Sequence, residues 1–258
     1  MKRKKRKNLI YPCLFLWIMG AVILLFLNQE LMGGDSPDCT NKRMTLLTIG
    51  NSNGEGPGKW PGQLQKLLGP ETLIINNSVS GRTIGFDNLG QSSLNTLKQI
   101  RFILESACRE AEPRGGFDKI LICLGTNDCK AVFDSRQHEV TSNYEKLIRI
   151  MLTYPYPSNV QPVVVIVSPP PYGKVASLTE KYKGAEQRVQ NLVPKFRELA
   201  DKLGCPYIDI YTPMVPVVDR LTVDGVHFTE QGYQVMAEHI KTALVNEHPD
   251  ASSLQKEP

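Results

Sequence analysis

Histidine is scarce, four in 258 residues, and none of the six cysteines stands in a CxxC pair. Structural zinc sites are built from closely spaced Cys and His ligands, so no such motif is present. A phosphate cradle is missing too. The glycine-rich stretch Asn53 to Lys59, NGEGPGK, has Asn53 where a P-loop needs its first glycine and Trp60 where it needs Ser or Thr. A dinucleotide fingerprint fails at the same place, because Gly54 and Gly56 are followed by Lys59. No internal repeat is visible, and compositional bias is confined to the termini. Excess charge is also lacking outside one short run. The net charge is +4, but Lys2 to Lys7 alone carry six positive charges, which leaves −2 for the remainder. The basic excess is a terminal tag and not a face of the fold, which argues against a nucleic-acid partner.

What is present begins with that tag. Residues 1–8 form a basic tail, and Leu9 to Leu27 follow as nineteen residues without a charge, close to the length a helix needs to span a bilayer. The stretch exceeds a signal-peptide core of about 7 to 15 residues, and no A-x-A cleavage pattern follows it. It therefore reads as a transmembrane signal-anchor over 9–27, with the basic tail cytoplasmic and the rest of the chain extracytoplasmic, periplasmic or at the cell surface. Cleavage and secretion is the alternative. Residues 28–43 read as a polar linker, 44–246 as one catalytic domain, and 247–258 as a polar tail. The cysteines are Cys13, Cys39, Cys108, Cys123, Cys129 and Cys205; one or two disulfides are open in an oxidising compartment, and Cys123 reads as a buried strand residue.

Within the domain, short β-favouring runs alternate with segments of helical period. Strands are expected at Leu46–Ile49, Leu73–Ile75, Lys119–Leu124, Val163–Val167 and Tyr207–Ile210. Helices are expected from Trp60-Pro61 to Gly69, from Ser92 as cap to about Arg109, from about Thr141 to Thr153, through Val189 to Leu203 with a kink at Pro194, and from Thr229 to about Leu244. The second carries Leu94, Leu97, Phe102 and Leu104. Tyr211 to Phe228 is expected to be a loop. Five nearly continuous apolar strands interleaved with helices predict an α/β, three-layer, doubly wound sandwich around a five-stranded parallel sheet.

In such a sheet, ligands bind at the carboxyl ends of the strands. The first strand ends in Gly50-Asn51-Ser52-Asn53, which delivers a serine hydroxyl to that rim. Nucleophilic serine chemistry needs a base and a carboxylate orienting it. His138, His239 and His248 read as surface or packing residues, whereas His227 lies in Asp224-Gly225-Val226-His227, three residues from a carboxylate. That spacing lets Asp224 take the Nδ1 proton while Nε2 faces Ser52. Oxyanion donors are available in the Ser52 backbone N–H, the Gly81 backbone N–H after the second strand and the Asn127 side chain after the third.

GNSN at Gly50, SGRT at Ser80, GTND at Gly125 and DGVH at Asp224 resemble, in order and context, the four blocks of the SGNH or GDSL hydrolases, over Leu46 to Leu244. ICLGTNDCKAVF, VSPPP and DGVHFTEQG resemble the arylesterase and acyltransferase branch. The resemblance implies a flavodoxin-like hydrolase fold, Ser52 as nucleophile, His227 as base, Asp224 as its partner, and Ser52, Gly81 and Asn127 as the oxyanion hole. It implies an esterase acting on a short O-acyl group, such as acetyl on a carbohydrate or small alcohol, by hydrolysis or transfer, with no metal and no organic cofactor. A lysophospholipase or thioesterase is the alternative among enzymes, and a non-catalytic binding protein the alternative outside them. Two positions depart from the pattern: Asn51 stands where the family usually has Asp, and Ser78 where glycine is common.

Overall fold

A computed structural model describes residues 43–246. Five strands, β1 (Met44–Gly50), β2 (Thr72–Asn76), β3 (Lys119–Cys123), β4 (Val163–Val167) and β5 (Tyr207–Ile208), form one parallel sheet in the order β2-β1-β3-β4-β5. Five longer helices flank it: α1 (Trp60–Leu68), α2 (Thr96–Ala111), α3 (Gln137–Leu152), α4 (Ala185–Leu203) and α5 (Glu230–Asn246). The expected α/β, doubly wound architecture is the one observed.

The unbroken apolar strands are explained by two cores, one on each face. Side chains alternate across a strand, so Leu47, Ile49, Ile120, Ile122, Val164 and Ile166 point to one side, where α2, α3 and α4 cover them. Leu46, Leu121, Cys123, Val165 and Val167 point to the other, beneath α1 and α5. A chain reversal falls between β1 and β3, because β2 lies on one side of β1 and every later strand on the other. That is the topological switch point, where a crevice opens. Register then sets what meets there. Gly50 pairs with Cys123, so the segments after β1 and β3 leave the sheet level with each other. Asn77 N–H donates to Thr48 O at 2.8 Å and Val79 N–H to Gly50 O at 3.2 Å, which carries the segment after β2 along β1 to the same rim.

Several local expectations are corrected. α2 is capped by Asn95, whose Oδ1 accepts the Lys98 N–H at 3.3 Å; Ser92–Leu94 form a separate 3-10 turn. Asn95 also donates to Asp87 at 2.8 Å, a second tie that Ser92 lacks. Phe102 is 66% exposed; Leu104 is buried as expected, and Ile100, Ile103 and Ala107 share its face. α3 begins at Gln137, four residues before the expected start, since a 3-10 segment Ala131–Arg136 leads into it and Gln137 bonds Asp128 O at 2.7 Å. β5 stops at Ile208 because the Ser168 Oγ accepts the Ile210 and Tyr211 N–H groups, both at 2.9 Å, and ends the ladder. The 211–228 segment holds two one-turn helices, Tyr211–Met214 and Val218–Leu221. Pro194 lies inside α4 without dividing it.

Cys108, Cys123, Cys129 and Cys205 carry free thiols; Cys13 and Cys39 lie outside the described residues. So do the expected anchor at 9–27, its basic tail, the linker up to 42 and the tail from 247. Among the described residues no helix is long and apolar enough to cross a membrane. The cap assignment is testable: Asn95→Ala should lower the unfolding free energy by roughly 1 to 2 kcal/mol in urea titration, whereas Ser92→Ala should change it by less than about 0.5 kcal/mol.

Candidate active site

The turn after β1 is built on Asn51. Its carbonyl accepts Gly54 N–H at 2.8 Å and Glu55 N–H at 3.1 Å, closing one helical turn, and its Oδ1 accepts Asn53 N–H at 3.0 Å. Ser52 is the first residue of that turn, partly exposed, with its N–H unpaired among the described residues. Gly54 leaves room for Ser78, since a Cβ there would lie 2.4 Å from Ser78 Oγ and force that side chain aside. Ser78 fills the space that Gly50 and Gly54 leave, at the expense of a buried hydroxyl without a partner.

Across the rim, the loop before α5 folds on its own carboxylate. Asp224 Oδ1 accepts the Val226 N–H at 2.9 Å and the His227 N–H at 2.7 Å, and Oδ2 lies 2.7 Å from His227 Nδ1. The other ring nitrogen, Nε2, is 3.0 Å from Ser52 Oγ. Gly225 makes the bend: its φ is +76°, and a Cβ would come within 2.5 Å of Ala176 N. Partial burial opposes the Asp224 charge, but the His227 N–H, its ring and the Val226 N–H outweigh it and hold the carboxyl below its ordinary value. The structure thus brings Ser52, His227 and Asp224 into one hydrogen-bonded row. His138 and His239 are exposed on α3 and α5, and His248 lies outside the described residues.

The third part of the rim comes from the segments after β2 and β3. Gly81, at φ +81°, has an N–H that meets no acceptor among the described residues. Asn127 Nδ2 donates one hydrogen to Arg82 O at 3.0 Å, which fixes the amide and leaves its second hydrogen unassigned. Two residues that sequence reasoning passed over hold these donors. Asn88, buried, donates to Gly81 O at 2.6 Å and so fixes that carbonyl. Asp128, buried, accepts Ile84 N–H at 2.9 Å and joins the segment after β3 to the segment after β2. Glu55 adds a third tie, accepting the Ser80 N–H at 3.1 Å and the Ser80 hydroxyl. Arg82 lies beneath, donating to Asn77 Oδ1 at 3.0 Å; burial pulls its guanidinium down to about 10 against the pull of Glu55. In the sequence these residues are ordinary turn-formers, and only a polar residue repeated after a strand end hints at more.

Other features take no part. A cavity of about 430 Å³ lined by Phe117, Tyr154 and Tyr156 opens at the amino end of β3, away from Ser52. Cys123, buried at the end of β3, has its thiol pushed up to about 12 by burial and is no nucleophile. Among the described residues no group of three His, Cys, Asp or Glu is placed to hold a metal ion.

A parallel sheet carrying a serine, a histidine and a carboxylate in line at its switch point has the architecture of the SGNH hydrolases. Residues 47–235 match the GDSL-like lipase/acylhydrolase family, and the chain belongs to it. A curated relative, the acetylxylan esterase of Xylanibacter ruminicola, is 27% identical over 77% of this chain, and the match spans only 42% of that protein's length. Among solved structures, a carbohydrate acetylesterase from Sinorhizobium meliloti aligns with TM-score 0.64 at 22% identity, covering 79% of this chain and 99% of that one. The aryl esterase of M. smegmatis aligns with TM-score 0.63 at 24% identity, covering 78% and 99%. At such identities the structural likeness is one of fold.

Asp128 supplies a test of the rim's electrostatics. Burial raises its carboxyl from the ordinary 3.8 to about 7, against the backbone N–H groups that favour its charge. In the unfolded chain it loses its proton near 3.8, so between that pH and about 7 the folded state binds more protons and stability falls as pH rises. The Tm of the wild type relative to Asp128→Asn should therefore decline from pH 4 to pH 7 and level off above, as measured by calorimetry across that range. A flat difference would place the Asp128 carboxyl in its ordinary range.

Proposed function

We propose that this protein is a serine esterase that hydrolyses a short O-acyl ester, such as an acetyl group on a carbohydrate, through an acyl-enzyme on Ser52. The observation that carries the reading is the continuous row from Ser52 Oγ to His227 Nε2 at 3.0 Å and from Nδ1 to Asp224 at 2.7 Å. The short acyl group and the carbohydrate are supported by the names of the relatives, an acetylxylan esterase and a carbohydrate acetylesterase.

Each step uses a group that the strand ends place at this rim. Ser52 Oγ attacks the acyl carbon as its proton passes to His227 Nε2, and Asp224 stabilises the imidazolium that forms. The negative charge on the former carbonyl oxygen is met by the Ser52 N–H, the Gly81 N–H and the free hydrogen of Asn127 Nδ2. Collapse breaks the bond to the alcohol, which takes the proton from Nε2 and leaves. Water then attacks the acyl-enzyme, gives a proton to Nε2, and the second collapse releases the acid as that proton returns to Oγ. Because Asp224 is held below the ordinary carboxylate range, it stays charged throughout the range in which the row can work.

Ser52→Ala and His227→Ala should each lower kcat by about 10³-fold or more, and the double variant should be little worse, since the members act as a unit. Retention of more than about a tenth of wild-type turnover by Ser52→Ala would end the proposal. Asn127→Ala should remove about 3 kcal/mol of transition-state stabilisation, read as a fall in kcat, because the oxyanion exists only after attack. On p-nitrophenyl esters from acetate to palmitate, detergent-solubilised full chain should prefer acetate. A maximum at long chains would favour the lysophospholipase or thioesterase reading instead.

We also propose that the domain works on the outer side of a membrane, held by the uncharged run Leu9 to Leu27 behind the basic residues Lys2 to Lys7. Alkaline carbonate should then fail to release the protein, and protease added outside intact cells should digest the domain. A soluble mature chain beginning near Gly33 would show instead that the run is a cleaved signal.

A further inference from the structure

The Ser52 to His227 contact joins residues 175 positions apart, so something must hold the two loops in register. One buried hydroxyl lies between them. Tyr233, in the first turn of α5, is 2% exposed, and its ring packs edge-on against Phe228 with centroids 6.0 Å apart. Its oxygen accepts the Phe228 N–H at 3.2 Å and donates to Asn53 Oδ1 at 3.0 Å. Phe228 follows His227, and Asn53 follows Ser52. A third bond, from Lys59 Nζ at 3.1 Å, fills the remaining lone pair.

From this bridge we infer that Tyr233 is a positioning residue, whose hydroxyl ties the turn bearing Ser52 to the loop bearing His227 and sets the distance between them. The inference rests on the reading of Ser52 as nucleophile and His227 as base. Two observations separate this role from simple packing. The Asn53 side chain has no other hold among the described residues, since its Nδ2 is buried without a partner. An arrangement that leaves one amide hydrogen-bonding group unsatisfied to keep the other on Tyr233 trades stability for position. Docking of α5, moreover, does not need the hydroxyl: Met236, Ala237, Ile240 and Leu244 fill the core beneath it, and Glu230 accepts from Gln63 at 3.3 Å.

A displacement of about 1 Å at a reacting pair can cost about 10²-fold in rate. Tyr233→Phe keeps the ring and removes the bridge. It should lower kcat for an acetate ester by roughly 10- to 100-fold with KM within about twofold, and slow phosphonylation of Ser52 by a p-nitrophenyl phosphonate in parallel. Asn53→Ala breaks the same bridge from the other end and should reproduce both effects. Because the two changes remove one link, the double variant should be no slower than the slower single. Lys59→Met leaves both arms of the bridge and should stay within about threefold of wild type.

The inference is overturned if Tyr233→Phe or Asn53→Ala is phosphonylated at the wild-type rate, if the two losses multiply in the double variant, or if Lys59→Met is as slow as Tyr233→Phe. A fall in Tm with unchanged phosphonylation at 25 °C would likewise make the hydroxyl purely structural. Should Tyr233→Phe fail to fold, Asn53→Ala carries the test by itself. Failure of the underlying reading shows separately, as a wild-type protein that reacts no faster than Ser52→Ala.

Discussion

Parallel strand pairing is the constraint on which everything else depends. Strands that run the same way end on the same side, and the register of β1 with β3 and β2 brings three chain segments out of the sheet within a residue or two of one level. A serine, a backbone donor and an amide donor can then converge without any of those segments being long. The histidine is the exception. It comes from beyond β5, two residues long, and reaches the rim through the loop before α5. Its position therefore rests on the packing of α5 against the second core and on the bonds of its own loop, Val223 N–H to His227 O at 2.8 Å among them, and not on the five-stranded sheet.

The rim is held by polar contacts that a core of the same size would avoid. Asp128 is fully enclosed, Arg82 is nearly so, and Ser78 and Asn53 each bury an unsatisfied group. Buried polar groups are expensive unless paired, and their concentration between the ends of β1, β2 and β3 marks where the fold gives up stability. Those contacts tie down the segments that carry the Ser52 and Gly81 N–H groups. Donors fixed in advance need no rearrangement when charge develops near them.

How much of this was legible in the sequence divides along physical lines. The strands were readable because burial on both faces leaves them mostly apolar, with few polar residues such as Thr48 inside, and Val163–Val167 was placed to the residue. The Asp224 and His227 pair was readable because its geometry is local: three residues on one tight bend define it. Errors fell where tertiary contacts overrule local preference. Ser92 is as good a cap as Asn95 by residue type, and tertiary ties at Asn95 and Thr96, to Asp87 and Thr83, decide between them. β5 is short because a side chain from β4's exit takes its donors, which no property of Tyr207–Ile210 foretells. Asn88, Asp128 and Tyr233 were invisible as a group for the same reason. Each acts across 7 to 180 positions of sequence.

Among the strand exits, that of β4 stands apart because it supplies neither a member of the hydrogen-bonded row nor one of the candidate oxyanion donors. It serves as a buttress: Tyr172 donates to Thr126 O, and Gly173 N–H donates to Gly225 O at 2.8 Å, behind the bend that carries His227. Beyond Gly173 the chain turns outward through Lys174–Ser177, with Val175 59% and Leu178 85% exposed. Only the side chains of Val175 and Leu178 face outward there, while Ala176 between them is buried against Gly225, so the stretch can be recoloured at those two positions but not reshaped without pressing on the bend that carries His227.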